Sequence, residues 1–261
     1  MCHAEAPSIP SPAAITEEVA IPLAGGEQLP ALYAHPEQAP GATGAARAPG
    51  VLIASDVYGR TPFYEDLAAR LAGAGFHALL PEPFFRQGPL ANRGREAAFA
   101  RRAQLDDLLA IAGYMAAADW LQARPEIASG RVGTIGFCMG GTFVLDLAAE
   151  RDDLATICYY GFPRSRPMGP RPGPSPIDNV ASMRGPIVGF WGDQDDGVGM
   201  DNVVAFAQAA KEHGVDLDHT IYAGLGHGFL AQALTDPDHS GHQQACDSWE
   251  RTIGFYHRHL G

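Results

Sequence analysis

The sequence predicts an α/β fold, a mostly parallel central sheet with helices on both faces. Two observations carry that expectation. Short apolar runs that read as strands buried on both faces, such as Val51-Leu52-Ile53-Ala54 and His77-Ala78-Leu79-Leu80, alternate with longer segments of helical spacing. The alternation continues through most of the 261 residues, with no stretch long enough to be an interdomain linker.

Taken in order, residues 1–15 read as a flexible tail, where Pro7, Pro10 and Pro12 are spaced by serines, and residues 16–261 as one domain. Segments 18–22 and 28–35 read as two strands around the turn Ala24-Gly25-Gly26, and segment 36–49, rich in Ala, Gly and Pro, as a loop. The strand at 51–54 leads to a helix at 63–72, in which Leu67 and Leu71 stand four apart, and the strand at 77–80 stops at Pro81. Residues 94–122 form a long Ala- and Leu-rich helical region with a break expected near Gly113. A strand at 131–137, a helix at 139–150 and a strand at 155–160 follow. The proline-rich excursion at 163–183 is expected over the sheet edge, as part of a lid or a subunit contact. Strand 186–191, helix 200–213, strand 218–222 and helix 243–259 complete the chain.

Composition narrows the function classes. Hydrophobic residues make up 46% of the chain and charged residues 18%, as in a globular protein with a sizeable core. No segment approaches the ~20 uninterrupted apolar residues of a membrane span. The first residues are acidic and proline-bearing, with no basic segment leading into an apolar one, so a cytoplasmic location is expected. A net charge of -12 and arginines clustered only at 93–102 argue against a nucleic-acid partner, because phosphate neutralisation needs grouped Lys and Arg. The expected partner is a small molecule, with no membrane, no metal and no cofactor; the oligomeric state stays open. The four cysteines, Cys2, Cys138, Cys158 and Cys246, form no C-x-x-C pair that would suggest a zinc site.

The most informative segment is Gly136-Phe137-Cys138-Met139-Gly140-Gly141, between a predicted strand and a predicted helix. This is the G-x-nucleophile-x-G turn of the α/β-hydrolase fold, with cysteine where serine is usual. A thiolate is the attacking form of cysteine, and the N-terminus of the following helix favours it. The Met139 N–H can donate to a developing oxyanion there. Cys158 and Cys246 lack such a setting and read as core or surface thiols.

A cysteine nucleophile needs a base, and the base an orienting acid, in the chain order nucleophile, acid, histidine. After the strand at 186–191 comes Gly192-Asp193-Gln194-Asp195-Asp196-Gly197, where Asp195 is the chosen acid and Asp196 the alternative. Of ten histidines, His227 alone follows a late strand in a tight glycine setting, Gly224-Leu225-Gly226-His227-Gly228-Phe229.

These segments, with Ser55-Asp56-Val57-Tyr58-Gly59 and Tyr159-Tyr160-Gly161, resemble the dienelactone hydrolase (carboxymethylenebutenolidase) family from about residue 51 onward. The resemblance implies Cys138, Asp195 and His227 as a triad and the N–H groups of Val57 and Met139 as an oxyanion hole. It implies that Cys138 opens a lactone or enol ester through a thioester, the enolate leaving with little need of protonation. Asp56 takes the place of the family's auxiliary glutamate, one methylene shorter, with capping of the next turn as its other reading. Arg101, Tyr58 and Tyr160 are the candidate substrate contacts. Where dienelactone-specific members carry a second carboxylate-binding arginine, this chain has Ala231. A general carboxylesterase or thioesterase, and a non-catalytic lactone or redox sensor, stand as alternatives.

Overall fold

In the computed structural model, which describes residues 14–37, 47–128 and 130–260, the chain opens with a hairpin. Strand β1 (Ala14–Pro22) pairs antiparallel with β2 (Gln28–Pro36), and the turn between them places Gly25 and Gly26 at φ 90° and 88°, where a side chain would be strained. The first strand therefore starts at Ala14, inside the expected tail; residues 1–13, with Cys2, lie outside the described residues.

The remaining strands are β3 (Gly50–Ala54), β4 (His77–Pro81), β5 (Val132–Phe137), β6 (Leu154–Tyr159), β7 (Ile187–Gly192) and β8 (Leu217–Tyr222). All eight belong to one sheet in the order β1-β2-β4-β3-β5-β6-β7-β8, antiparallel at β1, β2 and β4 and parallel from β4 to β8. Every residue of β3 to β7 is buried, so both faces of the sheet are covered, as a parallel sheet requires. The fold is that of the α/β-hydrolases.

The helices follow local rules. Helix α1 (Pro62–Gly73) starts on Pro62, whose missing N–H costs nothing in the first turn. The region expected as one helix broken near Gly113 is instead α2 (Arg95–Arg102) and α3 (Asp107–Gln122). The break falls at 103–106 because Asp106 caps α3, its carboxylate accepting the Leu109 N–H at 3.1 Å. Gly113 sits inside α3, against the Leu29 side chain of β2. After β5 comes α4 (Met139–Glu150), and after β7 comes α5 (Met200–Glu212). A five-residue helix not foreseen in the sequence, α6 (Phe229–Ala233), precedes α7 (His242–His259). Among the described residues no helix is long and apolar enough to cross a membrane.

Crossing direction positions the site. The chain winds from β3 to β4 on one side and then returns to place β5 on the other side of β3. Ligands in open α/β sheets bind beyond the carboxyl ends of strands at such a reversal. The segment between β6 and β7 contains a 3-10 helix (Pro176–Ser182) packed against α4, and its earlier part lies over those carboxyl ends.

Candidate active site

Cys138 is the residue between β5 and α4, and its backbone is held at φ 55°, ψ -114°. That conformation is strained for a non-glycine residue, and it persists because the flanking chain is locked. The lock depends on two glycines. A Cβ on Gly136 would lie 2.2 Å from the Gly140 carbonyl oxygen, and one on Gly140 would lie 2.1 Å from that of Ala54. The helix thus meets the strands at backbone contact, which aims the 138 side chain off the sheet edge. Cys138 is 4% exposed and lines a cavity of about 920 Å³.

The acid and the histidine come from the next strand ends. Asp195 follows β7, is buried, and its Oδ2 accepts His227 Nδ1–H at 2.6 Å. Its other oxygen accepts the Val198 N–H at 3.1 Å, so the carboxylate is fixed at both ends. Exposed Asp193 accepts the Gly224 N–H at 2.7 Å and so ties the two loops together. Asp196 is exposed and lines the cavity without meeting the imidazole. Geometry therefore separates the three aspartates. His227 lines the same cavity as Cys138, and the ring of Tyr160 packs edge-on against it, centroids 5.1 Å apart.

Val57 and Met139 both line the cavity. The Met139 N–H belongs to the first turn of α4, which has no intrahelical acceptor for it. Asp56, fully buried, accepts the Tyr58 N–H at 2.8 Å, which is the turn-capping role read as its alternative. The Asp56 N–H in turn donates to the Tyr64 hydroxyl at 3.2 Å. Burial pushes the Tyr64 phenol well above its ordinary range, and the charges of Asp56, Tyr160 and Cys138 add to that. Tyr64 is therefore a member of this cluster that the sequence did not reveal.

The substrate-binding candidates divide. Tyr58 lines the cavity; Tyr160 lies behind His227; Arg101 is not among the lining residues. The helical register explains the last result. On α2, Arg95, Phe99 and Arg102 share the face toward the cavity at i, i+4 and i+7. Arg101 is turned from them, stacks over Phe84 at 4.1 Å and donates to the Gly88 carbonyl at 3.3 Å. The arginines facing the cavity are Arg95, Arg102 and, from the segment after β6, Arg166. Arg102 is not a solvated residue: it pairs with buried Asp107 at 2.8 Å. Ala231 also lines the cavity, a methyl in its wall.

The excursion at 163–183 contributes Ser165, Arg166, Met168, Gly173 and Pro174 to the wall, as a lid would. Arg166 donates to the Gly197 carbonyl at 2.9 Å and the Gly173 N–H to Asp107 at 3.0 Å, tying the lid to both sides of the cavity. Cys158 is buried in β6, its thiol pushed up to about 12 by burial, and Cys246 is half-buried. Among the described residues no group of three or more His, Cys, Asp and Glu converges to hold a metal ion.

Comparison with known proteins agrees with this fold. The model of the dienelactone hydrolase family matches residues 29–260. A carboxymethylenebutenolidase of Rhodococcus opacus is 34% identical over 261 residues, covering 100% of this chain and 98% of its own. A carboxymethylenebutenolidase 2 of Cupriavidus pinatubonensis is 37% identical over 198 residues, 75% of this chain and 79% of its own. A solved structure from Klebsiella pneumoniae, assigned to the dienelactone hydrolases, superposes with a TM-score of 0.81 at 26% identity, covering 94% of this chain and 99% of that one.

Proposed function

The chain belongs to the dienelactone hydrolase family, and from that premise we propose that it hydrolyses a lactone or enol ester by acyl transfer through Cys138. The observation that carries this reading is the 2.6 Å contact of His227 with buried Asp195 in the wall of a cavity that Cys138 also lines.

In the proposed mechanism the Cys138 thiolate attacks the ester carbonyl. The carbonyl oxygen gathers negative charge and is held by the N–H groups of Val57 and Met139. Collapse expels the enolate and leaves an acyl thioester on Cys138. His227 then takes a proton from water, which attacks the thioester and releases the acid and the thiolate. Asp195 keeps Nδ1 protonated, so that Nε2 is the basic nitrogen, and stabilises the imidazolium that forms. Asp56 shapes the loop bearing Val57 through its bond to the Tyr58 N–H, and its carboxylate, with His227, serves as a base that takes the Cys138 proton. Because a thiol nucleophile must stay reduced, the reading places the protein in a reducing compartment such as the cytoplasm.

Substrate range is the open dimension, and a second reading has its own support. Ala231 in the wall and a cavity of about 920 Å³ favour a bulkier ester or thioester over a small carboxylate-bearing dienelactone. Turnover of a lactone and aryl ester panel by the parent and by Cys138→Ala tests both. Loss of all hydrolysis in the variant is expected; full retention would overturn the scheme. The better substrate class in the parent decides between the two readings.

A further inference from the structure

The helix that begins at the proposed nucleophile carries a second carboxyl group that this chemistry does not use. On α4, Met139, Thr142, Phe143 and Asp146 all line the cavity, the i, i+3, i+4, i+7 pattern of one helical face. Asp146 is 2% exposed, and neither of its oxygens meets a hydrogen-bonding group among the described residues. Buried polar groups are nearly always paired, so an unpaired carboxyl in a cavity wall points to a ligand.

The surroundings decide which ligand. Burial pushes Asp146 up to about 8, and the negative charges of Asp107 on α3 and Glu150 on α4 add to that. Arg102 on α2 does not neutralise it, because its guanidinium is already paired with both oxygens of Asp107. Burial and the neighbouring charges thus favour the protonated carboxyl, which offers one O–H donor together with a carbonyl acceptor. The lid closes over it: a Cβ on Gly173 would lie 3.6 Å from Asp146 Oδ2. An ammonium group would require the ionised carboxylate in a desolvated site, which is costly.

We propose that Asp146 determines specificity, binding a neutral hydroxyl or carboxamide at the far end of an elongated ester or lactone. The assignment rests on the acyl-transfer reading above. Along α4, the rise from Cys138 to Asp146 is about 12 Å at 1.5 Å per residue. The reacting carbonyl and the polar end of the substrate are separated by that length, with the apolar stretch between them facing Met139 and Phe143.

Two matched ester pairs test it. One pair carries a terminal hydroxyl or a methyl on an eight-carbon acyl chain, the other on an eight-carbon alcohol. Hydrolysis is followed near neutral pH in the parent, Asp146→Leu and Asp146→Asn. The parent should favour the hydroxyl member of at least one pair by roughly three- to tenfold in kcat/KM, the worth of one neutral hydrogen bond. Asp146→Asn, which keeps a neutral donor and acceptor, should retain the preference, and Asp146→Leu should bring the ratio near one. Each ratio is read within one protein, so a general loss of activity does not move it. No preference in either pair, its retention in the Leu variant, or a stronger preference for a terminal ammonium would overturn the assignment. Failure of the underlying reading shows separately, as a Cys138→Ala variant that hydrolyses the same esters as fast as the parent.

Discussion

Oδ2 of Asp195 lies 2.6 Å from Nδ1 of His227, a contact made across the carboxyl ends of two adjacent parallel strands. Its precision comes from the loops. The Asp193 N–H donates to the Tyr222 carbonyl at 3.0 Å and the Gln194 N–H to that of Leu225 at 2.9 Å, so the acid loop is laced to the histidine loop. The two loops that carry the pair are thereby held to one another.

If that contact sets the tautomer, Asp195→Asn loses far more than a hydrogen bond. An amide can donate to Nδ1 and leave the proton on Nε2, the nitrogen that has to act as base. A fall in kcat on the order of 10³-fold or more is expected, by analogy with the same change in serine triads. Asp196→Asn, at an exposed position that does not meet the imidazole, should change kcat by less than about threefold. Steady-state kinetics on one aryl ester separates the two.

The elbow predicts a stability effect. An alanine methyl at Gly140 would lie 2.1 Å from the Ala54 carbonyl oxygen, a backbone atom that cannot swing away. Gly140→Ala should therefore cost at least about 3 kcal/mol, as overpacked and strained sites do, and lower the melting temperature accordingly. Thermal denaturation followed by circular dichroism measures it.

Asp146 predicts the sign of a pH dependence. Its folded pKa of about 8 lies above the ordinary carboxyl value of about 3.9. Between those values the unfolded chain has released the proton that the folded chain keeps, so the group lowers stability as pH rises through this window. Below the window both states are protonated and the effect vanishes; above about 8 it is constant. Asp146→Asn removes it. Urea unfolding should show the variant gaining on the parent from pH 4 to pH 8, by something on the order of a few kcal/mol, and no further above.

At Ala231 the prediction is a gain of function. Ala231→Arg puts a guanidinium into the cavity wall, where it can form a bidentate bond with a substrate carboxylate. For a lactone bearing a free carboxylate, kcat/KM should rise by about tenfold or more, from ~1.5–3 kcal/mol of charge-assisted bonding. An uncharged aryl acetate should not benefit.

The strand and helix sequence was legible because buried parallel strands leave short apolar runs between helical spacings. The elbow was legible because Gly136 and Gly140 are demanded by backbone contact on either side of Cys138. Legibility failed where a register or a cap decides the outcome. Asp106, by capping α3, breaks the helical region at 103–106 rather than at Gly113, and the register of α2 puts Arg102 instead of Arg101 on the face toward the cavity. Tyr64 enters the site from α1, through a contact with the Asp56 N–H that no motif encodes. Asp146 did leave a signal: it is the one charged residue in α4 before Glu150, on the helical face that begins at Met139. Reading that periodicity forward from the elbow would have found it.

The central claim is a covalent bond at Cys138. Intact-protein mass spectrometry after rapid acid quench, with a slowly deacylating aryl ester, tests it most directly, with peptide mapping to locate any adduct. The account predicts an added mass equal to the acyl group, mapped to Cys138 and lost on further incubation. Turnover with no adduct on that residue at any quench time, or an adduct that stays on Cys138 while product continues to appear, would contradict it.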